Sequence, residues 1–418
     1  MAYFGSSREW NLNAVGAPEA WAAGYTGKGV TVAVIDTGVD LDHPDLVQNL
    51  YVNPGEIAGN GIDDDQNGFV DDVHGYDFVD RDATPDDLNG HGTHVAGTIA
   101  AARNNIGSTG VAPDAKIIPV RVLDRNGSGS DASVAAGIRY AAKLGADIIN
   151  LSLGGVYSRA IDTAISYARS LGSIIIAAAG NESAAVPGYP ARFSATDDNV
   201  ISVGAYRSSG RIASFSNRVG NSGSVQIDAP GVGIYSTYMG GGYATLSGTS
   251  MASPHIAGLA ALTLSANPNL TSRELRDLLA TGTSGRAAGS DSLGKANASI
   301  TVAYAAAGLK TVSTAPAGQR AAATTATQRS VTARTTAADD SLFAASESIA
   351  KTDFKKADVT IRSSDPIPPI SQPTSPNSKP LFLDAVGVTQ TKAFDVFFAS
   401  YNADEREAEA ANELRSLV

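Results

Sequence analysis

The chain has 418 residues, room for roughly two to three average domains, and 43% of them are apolar, so a sizeable core can form and wholesale disorder is excluded. Its net charge is −11, which argues against a nucleic-acid binder held by a basic patch and against an anionic membrane surface as partner. Cysteine is absent, which removes disulfide frameworks, thiolate metal clusters and cysteine nucleophiles. No apolar run approaches the ~18 residues of a membrane span. The start, M-A-Y-F-G-S-S-R-E-W-N, has no basic segment followed by an apolar one and does not read as a secretory signal.

Taken in chain order, the first predicted strand is Val30–Ile35, which delivers Asp36 in T-V-A-V-I-D-T-G-V-D. A carboxylate at the end of a buried strand is desolvated and needs a donor; the plainer role is an N-cap for the next turn. Next comes Asp63-x-Asp65-x-Asn67-Gly68-Phe69-x-Asp71-Asp72, with oxygen donors at alternate positions and glycine at a sharp turn. The pattern is that of the start of an EF-hand loop, with side-chain oxygens at positions one, three and five and the Phe69 carbonyl at seven. His74 stands at the twelfth position, so Asp71 or Asp72 must close the shell; a solvated acidic loop is the plainer alternative. We therefore expect calcium here as a structural ion, because so many clustered acids repel one another without a cation.

N-G-H-G-T-H-V-A-G follows, with His91 and His94 entering a helix. Their spacing suggests a zinc pair, but no Glu lies between them and no third ligand is near; an ordinary helix-start histidine would not explain the glycines on both sides of His91. Ile117–Leu123 reads as a strand, Asp131–Leu144 as a helix, Asp147–Leu151 as a strand and Arg159–Leu171 as a helix. Strand Ile174–Ala179 then leads to Asn181, which alone would be taken for a turn residue but is also an amide donor at a strand's carboxyl end. After strand Val200–Val203, Ser250 opens the apolar helix Ser250–Ala266 in L-S-G-T-S-M-A-S-P-H, and Ser272–Ala280 is the last clear helix. Ser250 is either an N-cap or a hydroxyl beside the free N–H groups of a helix start, where an oxyanion is stabilised. Alternation of helices with unbroken apolar strands predicts an α/β fold of three layers: a mostly parallel central sheet with helices on both faces.

Beyond Gly308 the composition changes. Seventeen of the thirty residues from Thr311 to Asp340 are Ala or Thr, and Asp365–Pro380 holds six prolines. Residues 309–380 therefore read as a disordered linker that follows a folded unit of residues 1–308. Within the last stretch, 381–418, Phe394, Phe397, Phe398 and Tyr401 fall at i, i+3, i+4, i+7, which predicts a short helical tail, either folded on the domain or laid into a partner's groove. The tail as a whole is expected to be unable to dock firmly and to be dispensable for activity.

Asp, His and Ser in D-T-G, H-G-T-H and G-T-S-M-A-S-P, in that order, with Asn181 in A-A-A-G-N-E, resemble the subtilisin-like serine peptidases from about Asn11 to Gly308. The resemblance implies a serine endopeptidase acting through an acyl-enzyme on protein or peptide substrates: Ser250 the nucleophile, His91 the general base and acid, Asp36 the group that orients the imidazole, and Asn181 a donor to the oxyanion. The alternative is an inactive binding or scaffold protein on the same fold. It also implies that Ser152, Leu153 and Gly154 pair with an extended substrate backbone. Ala178, Ala179 and Gly180 would wall the primary specificity pocket and Gly188 lie near its floor, giving an apolar or aromatic preference. A second calcium site is implied at Asp45, the Asn104 side chain and the carbonyls of Ala102, Ile106 and Ser108. By the same resemblance the enzyme would be a monomer, secreted or in the cell envelope, with a cytoplasmic location left open; the signal and propeptide usual in the family are not read at the start of this chain.

Overall fold

Most strands of the core are short β-branched or alanine-rich runs buried on both faces, which only a sheet covered on both sides can accommodate. The computed structural model describes residues 9–309 and the backbone of 393–396. Helices α1 (Trp10–Val15) and α2 (Ala17–Ala22) precede β1 (Thr31–Asp36), β2 (Tyr76–Asp77), α3 (His91–Ala100), β3 (Lys116–Arg121), β4 (Ser128–Ser130) and α4 (Asp131–Lys143). Then come β5 (Ile148–Leu151), β6 (Leu153–Gly154), α5 (Arg159–Ser170), β7 (Ile174–Ala178), β8 (Val200–Tyr206) and β9 (Gln226–Pro230). A hairpin of β10 (Ile234–Tyr238) and β11 (Gly242–Leu246), helices α6 (Thr249–Ala266), α7 (Ser272–Thr281) and α8 (Ala298–Ala306), and the separate strand β12 (Ala393–Val396) complete the elements.

Seven strands form one sheet in the order β2-β3-β1-β5-β7-β8-β9, and every pairing in it is parallel. From β1 the chain moves to one side through β3 and then to the other through β5, so the order reverses beside β1. Ligand sites of open α/β sheets lie at the carboxyl ends of strands next to such a reversal. Helices α4 and α5 cover one face, where Val134, Ile138, Ile161 and Ile165 pack on Ile35, Ile149, Leu151 and Ile175. On the opposite face, Ser253 of α6 donates at 2.8 Å to Asn150, which alternates along β5 with Ile149 and Leu151. Helix α6 is buried on all sides from Thr249 to Leu264, as a helix between a sheet and other helices must be. Fully burying each of its leucine and isoleucine side chains contributes about 1.5–3 kcal/mol.

The three-layer α/β expectation therefore holds, with two differences. Strands β2, β4, β9, β10 and β11 and helices α1, α2 and α8 were not expected: β9, for example, carries buried Gln226 and Asp228, which break the apolar pattern and accept hydrogen bonds from Ser202 and Ser292. The tail differs at Phe394, which lies in β12 and not in a helix. Backbone groups on the edges of β4 and β6 provide the pairing that a lone helix would have had to supply for itself. Phe397, Phe398, Tyr401 and the stretch read as a linker lie outside the described residues, Leu309 excepted.

Candidate active site

Asp36 is the last residue of β1 and is fully buried. His91 is the first residue of α3, also fully buried, and its Nδ1–H donates to Asp36 Oδ1 at 2.7 Å. The Thr37 backbone N–H donates to the same oxygen at 2.8 Å, so this carboxylate takes donors from both ring and backbone. The two glycines beside His91 now have reasons. Gly90 has φ +101°, and a Cβ there would lie 2.3 Å from the Tyr238 ring; one on Gly92 would lie 2.0 Å from the Gly38 carbonyl oxygen. His94 is a packing residue: its Nε2–H reaches the carbonyls of Ile234 (3.0 Å) and Ala244 (3.2 Å), and burial pushes its pKa down to about 3. The spacing of the two histidines thus serves the fold and is not a zinc pair.

Ser250 stands in the first turn of α6, which packs on α3. Its Oγ–H donates to the Ser152 carbonyl at 3.0 Å, and Ser152 Oγ–H donates back to the Ser250 carbonyl at 2.8 Å. That carbonyl is available because the residue four positions on is Pro254, which has no N–H to occupy it. β1 and β5 are neighbours with Val34 opposite Asn150, so two residues further along, Asp36 and Ser152 come level at the carboxyl ends of adjacent strands. One holds His91 and the other holds Ser250. Asn181 is oriented by Thr249, whose backbone N–H and hydroxyl both donate to Asn181 Oδ1 at 2.9 Å. The Thr249 hydroxyl oxygen also accepts from the Gly180 N–H at 3.1 Å. Sequence reasoning missed Thr249 and the interlocking role of Ser152; the only signal was their adjacency to Ser250 and Leu153.

The substrate residues expected from the sequence also lie together. Leu153 and Gly154 form β6 directly after Ser152, and the next residue, Gly155, bridges to Tyr189. Ala178 ends β7, and Ala179 and Gly180 continue from it; the Gly188 N–H donates to the Ala179 carbonyl at 2.9 Å. The 188–189 segment therefore joins the two walls. Asn217, also missed, ties the Asn181 loop: its Nδ2 donates to the Ala179 carbonyl at 2.9 Å and its Oδ1 accepts from the Glu182 and Ala184 N–H groups.

A model of the subtilase family matches residues 27–333. The chain belongs to the subtilase family. The match starts later than the resemblance near Asn11 and runs past Gly308. Thermitase from Thermoactinomyces vulgaris is 45% identical over 263 residues, which are 62% of this chain and 83% of that protein. Subtilisin Savinase from Lederbergia lenta is 42% identical over 271 residues, 65% of this chain and 89% of that one. The crystal structure of a cold-adapted subtilisin-like serine proteinase superposes with a TM-score of 0.57 at 36% identity, covering 70% of this chain and 99% of its own. This subtilase is accordingly a serine endopeptidase, a hydrolase with protein or peptide substrates. Among the described residues no helix is long and apolar enough to cross a membrane.

The acidic loop is arranged differently from the EF-hand start expected of it. Glu56, Asp65 and Asp72 each offer a carboxylate oxygen within 4.8 Å of the others. Asp63 instead accepts from the loop's own Asn67 and Gly68 N–H groups, one to each carboxylate oxygen. Asp71 accepts from the Asn60 and Gly61 N–H groups, whereas Asp72 is buried beside Glu56 and Asp65. Burial and the Asp65 charge push the Asp72 carboxyl up. Asn67 donates to Asp65 and Asp72, while the Phe69 ring packs on Tyr76 and Tyr140. Glu56 had no motif to mark it. At the other cluster, Asp45 accepts from Asn104 Nδ2 (2.9 Å), the Ser108 N–H (3.0 Å) and the Tyr243 hydroxyl (2.8 Å). The Ala102 N–H donates to the Asp45 carbonyl and the Ile106 N–H to Asn104 Oδ1. Glu9 comes close enough for the Asp45 charge to add to burial in raising its pKa.

Proposed function

We propose that Ser250 is the acylated nucleophile, with His91 as general base and acid and Asp36 as the group that holds the imidazole. The observation that carries this reading is the buried 2.7 Å bond from His91 Nδ1 to Asp36, at the strand end beside the one that anchors Ser250. A proton fixed on Nδ1 leaves Nε2 as the basic nitrogen, and the buried carboxylate stabilises the imidazolium formed when the serine proton arrives. The hydroxyl attacks the carbonyl carbon, and the oxyanion is received by the Asn181 amide and by backbone N–H groups at the start of α6. His91 then protonates the leaving amine, and a water molecule activated by the same nitrogen releases the acid. Small residues at Ala178, Ala179, Gly180 and Gly188 support a pocket for a large apolar or aromatic side chain before the cleaved bond.

Calcium is the ion the acidic cluster suits: Glu56, Asp65 and Asp72 would hold it, and their carboxylates are hard oxygen donors. The second ion implied by the resemblance, at Asp45, would require Asn104 to turn its oxygen in place of the Nδ2 that now donates to Asp45. Calcium's contribution would be to stability, since an ion that binds only the folded chain stabilises it by mass action. The deciding experiment for catalysis is casein hydrolysis by the wild type beside Ser250→Ala. The variant should lose about 10⁴–10⁶-fold in turnover with an unchanged melting temperature; comparable hydrolysis by both proteins would refute the assignment.

A further inference from the structure

The second sheet has the order β4-β12-β6, so a strand from the far C-terminal part of the chain lies between two short strands of the peptidase domain. β4 is Ser-Gly-Ser and β6 is Leu-Gly, and neither pairs with the other. Short glycine-bearing edges with a strand-wide gap are what β-augmentation by an extended peptide requires.

Direction and register give the strand its meaning. β12 is antiparallel to both neighbours: Ala393 is opposite Ser130, Phe394 opposite Gly129, and Asp395 opposite both Ser128 and Gly154. Val396 is opposite Leu153. Stepping from Asp395 to Val396 therefore moves from Gly154 towards Ser152, whose carbonyl accepts the Ser250 hydroxyl at 3.0 Å. The strand thus heads for the nucleophile with its carboxyl end, the polarity of the acyl side of a peptide substrate. The sequence continues Phe397-Phe398, aromatic residues of the kind proposed to suit the pocket.

We propose that residues 393–396 are an intramolecular, substrate-like occupant of the substrate groove, which competes with protein substrates for β4 and β6. The proposal rests on the reading of Ser250 and β6 as the reaction centre and its binding edge. Residues 393–396 belong to the same chain as the groove, with 83 residues between Leu309 and Ala393, and intramolecular linkage gives effective concentrations on the order of 1 mM. An occupant with a separate-peptide Kd of about 0.1 mM would then fill the groove about nine-tenths of the time and weaken competing ligands about tenfold.

The test uses the full chain in the Ser250→Ala background, so that nothing is cut, and a fluorescein-labelled peptide with the sequence of residues 392–399 as the probe. Its Kd, read by anisotropy, should be about tenfold tighter when Phe394 and Asp395 are both replaced by proline. That pair of changes removes two consecutive backbone donors, one to each side of the strand. A second variant ending after Gln390 should show the same gain, and replacing Phe394 by Val and Asp395 by Thr, which keeps strand-forming residues, should show none. Equal Kd values in the full chain, the proline variant and the shortened variant would overturn the proposal, as would no binding to any of them. Failure of the catalytic reading shows separately, as casein hydrolysis that survives loss of Ser250.

Discussion

Thr249 is the most informative position to perturb, because it touches Asn181, the proposed oxyanion donor, without being a member of the proposed triad. Its hydroxyl donates to Asn181 Oδ1 at 2.9 Å and accepts from the buried Gly180 N–H at 3.1 Å. Thr249→Val keeps the branched shape and the backbone N–H to Asn181 but removes both hydroxyl bonds. One lost bond costs about 1 kcal/mol and an orphaned buried N–H about 1–3 kcal/mol. If about 1 kcal/mol of that falls on the orientation of the Asn181 amide in the transition state, kcat drops roughly five- to tenfold while KM changes less than about twofold. Complete loss of the donor, in Asn181→Ala, should cost about 10²–10³ in kcat. The assay is a double-mutant cycle on kcat with a chromogenic peptide. In the Asn181→Ala background, Thr249→Val should have almost no further effect on kcat, because there is no amide left to orient. An equal drop in both backgrounds would refute the positioning argument.

Three further outcomes follow from the geometry. Gly188→Val adds a side chain whose Cβ meets only the Ala179 carbonyl, at 3.7 Å, so the fold should accept it; kcat/KM should fall about 10–200-fold for a peptide with phenylalanine before the cleaved bond and only a few-fold for alanine. EDTA should lower the melting temperature and added calcium restore it, by several degrees if the ion stands about 100-fold above its Kd, and Glu56→Gln should shrink that recovery. His94 and His255 are buried with pKa values lowered to about 3 and about 4, so the unfolded chain takes up protons on them from pH 6.5 downwards while the folded chain does not. Stability should therefore be intact above pH 6.5 and fall by about 2 kcal/mol per histidine between pH 6.5 and 5, and His255→Gln should lose about half of that slope in denaturant titrations.

The proposed catalytic groups were legible because each sits at a break between two patterns. Asp36 ends an apolar run, Asn181 follows one, and His91 and Ser250 each start a helix with small residues packed around them. Strands β1, β5, β7 and β8 were legible as short runs dominated by β-branched and alanine residues, with Asn150 in β5 and Ser202 in β8 as polar exceptions. What stayed hidden depends on partners distant in sequence. Buried Gln226 and Asp228 are acceptable in β9 only because Ser202 and Ser292 meet them, and nothing local announces those bonds. Glu56 joins Asp65 and Asp72 through the turn of the loop and not through spacing in a motif. The aromatic periodicity around Phe394 pointed to a helix, but edge strands formed roughly 240–270 residues earlier decide its conformation.

Covalent labelling tests the central claim most directly. Treating the full chain with a phosphonyl fluoride and mapping the adduct by peptide mass spectrometry should place one label, on Ser250, with loss of peptidase activity in step with labelling. His91→Ala should label at least about 10³-fold more slowly, because the hydroxyl is then without its base. Full inactivation with the label on another serine, or undiminished labelling of Ser250 in His91→Ala, would contradict the mechanism.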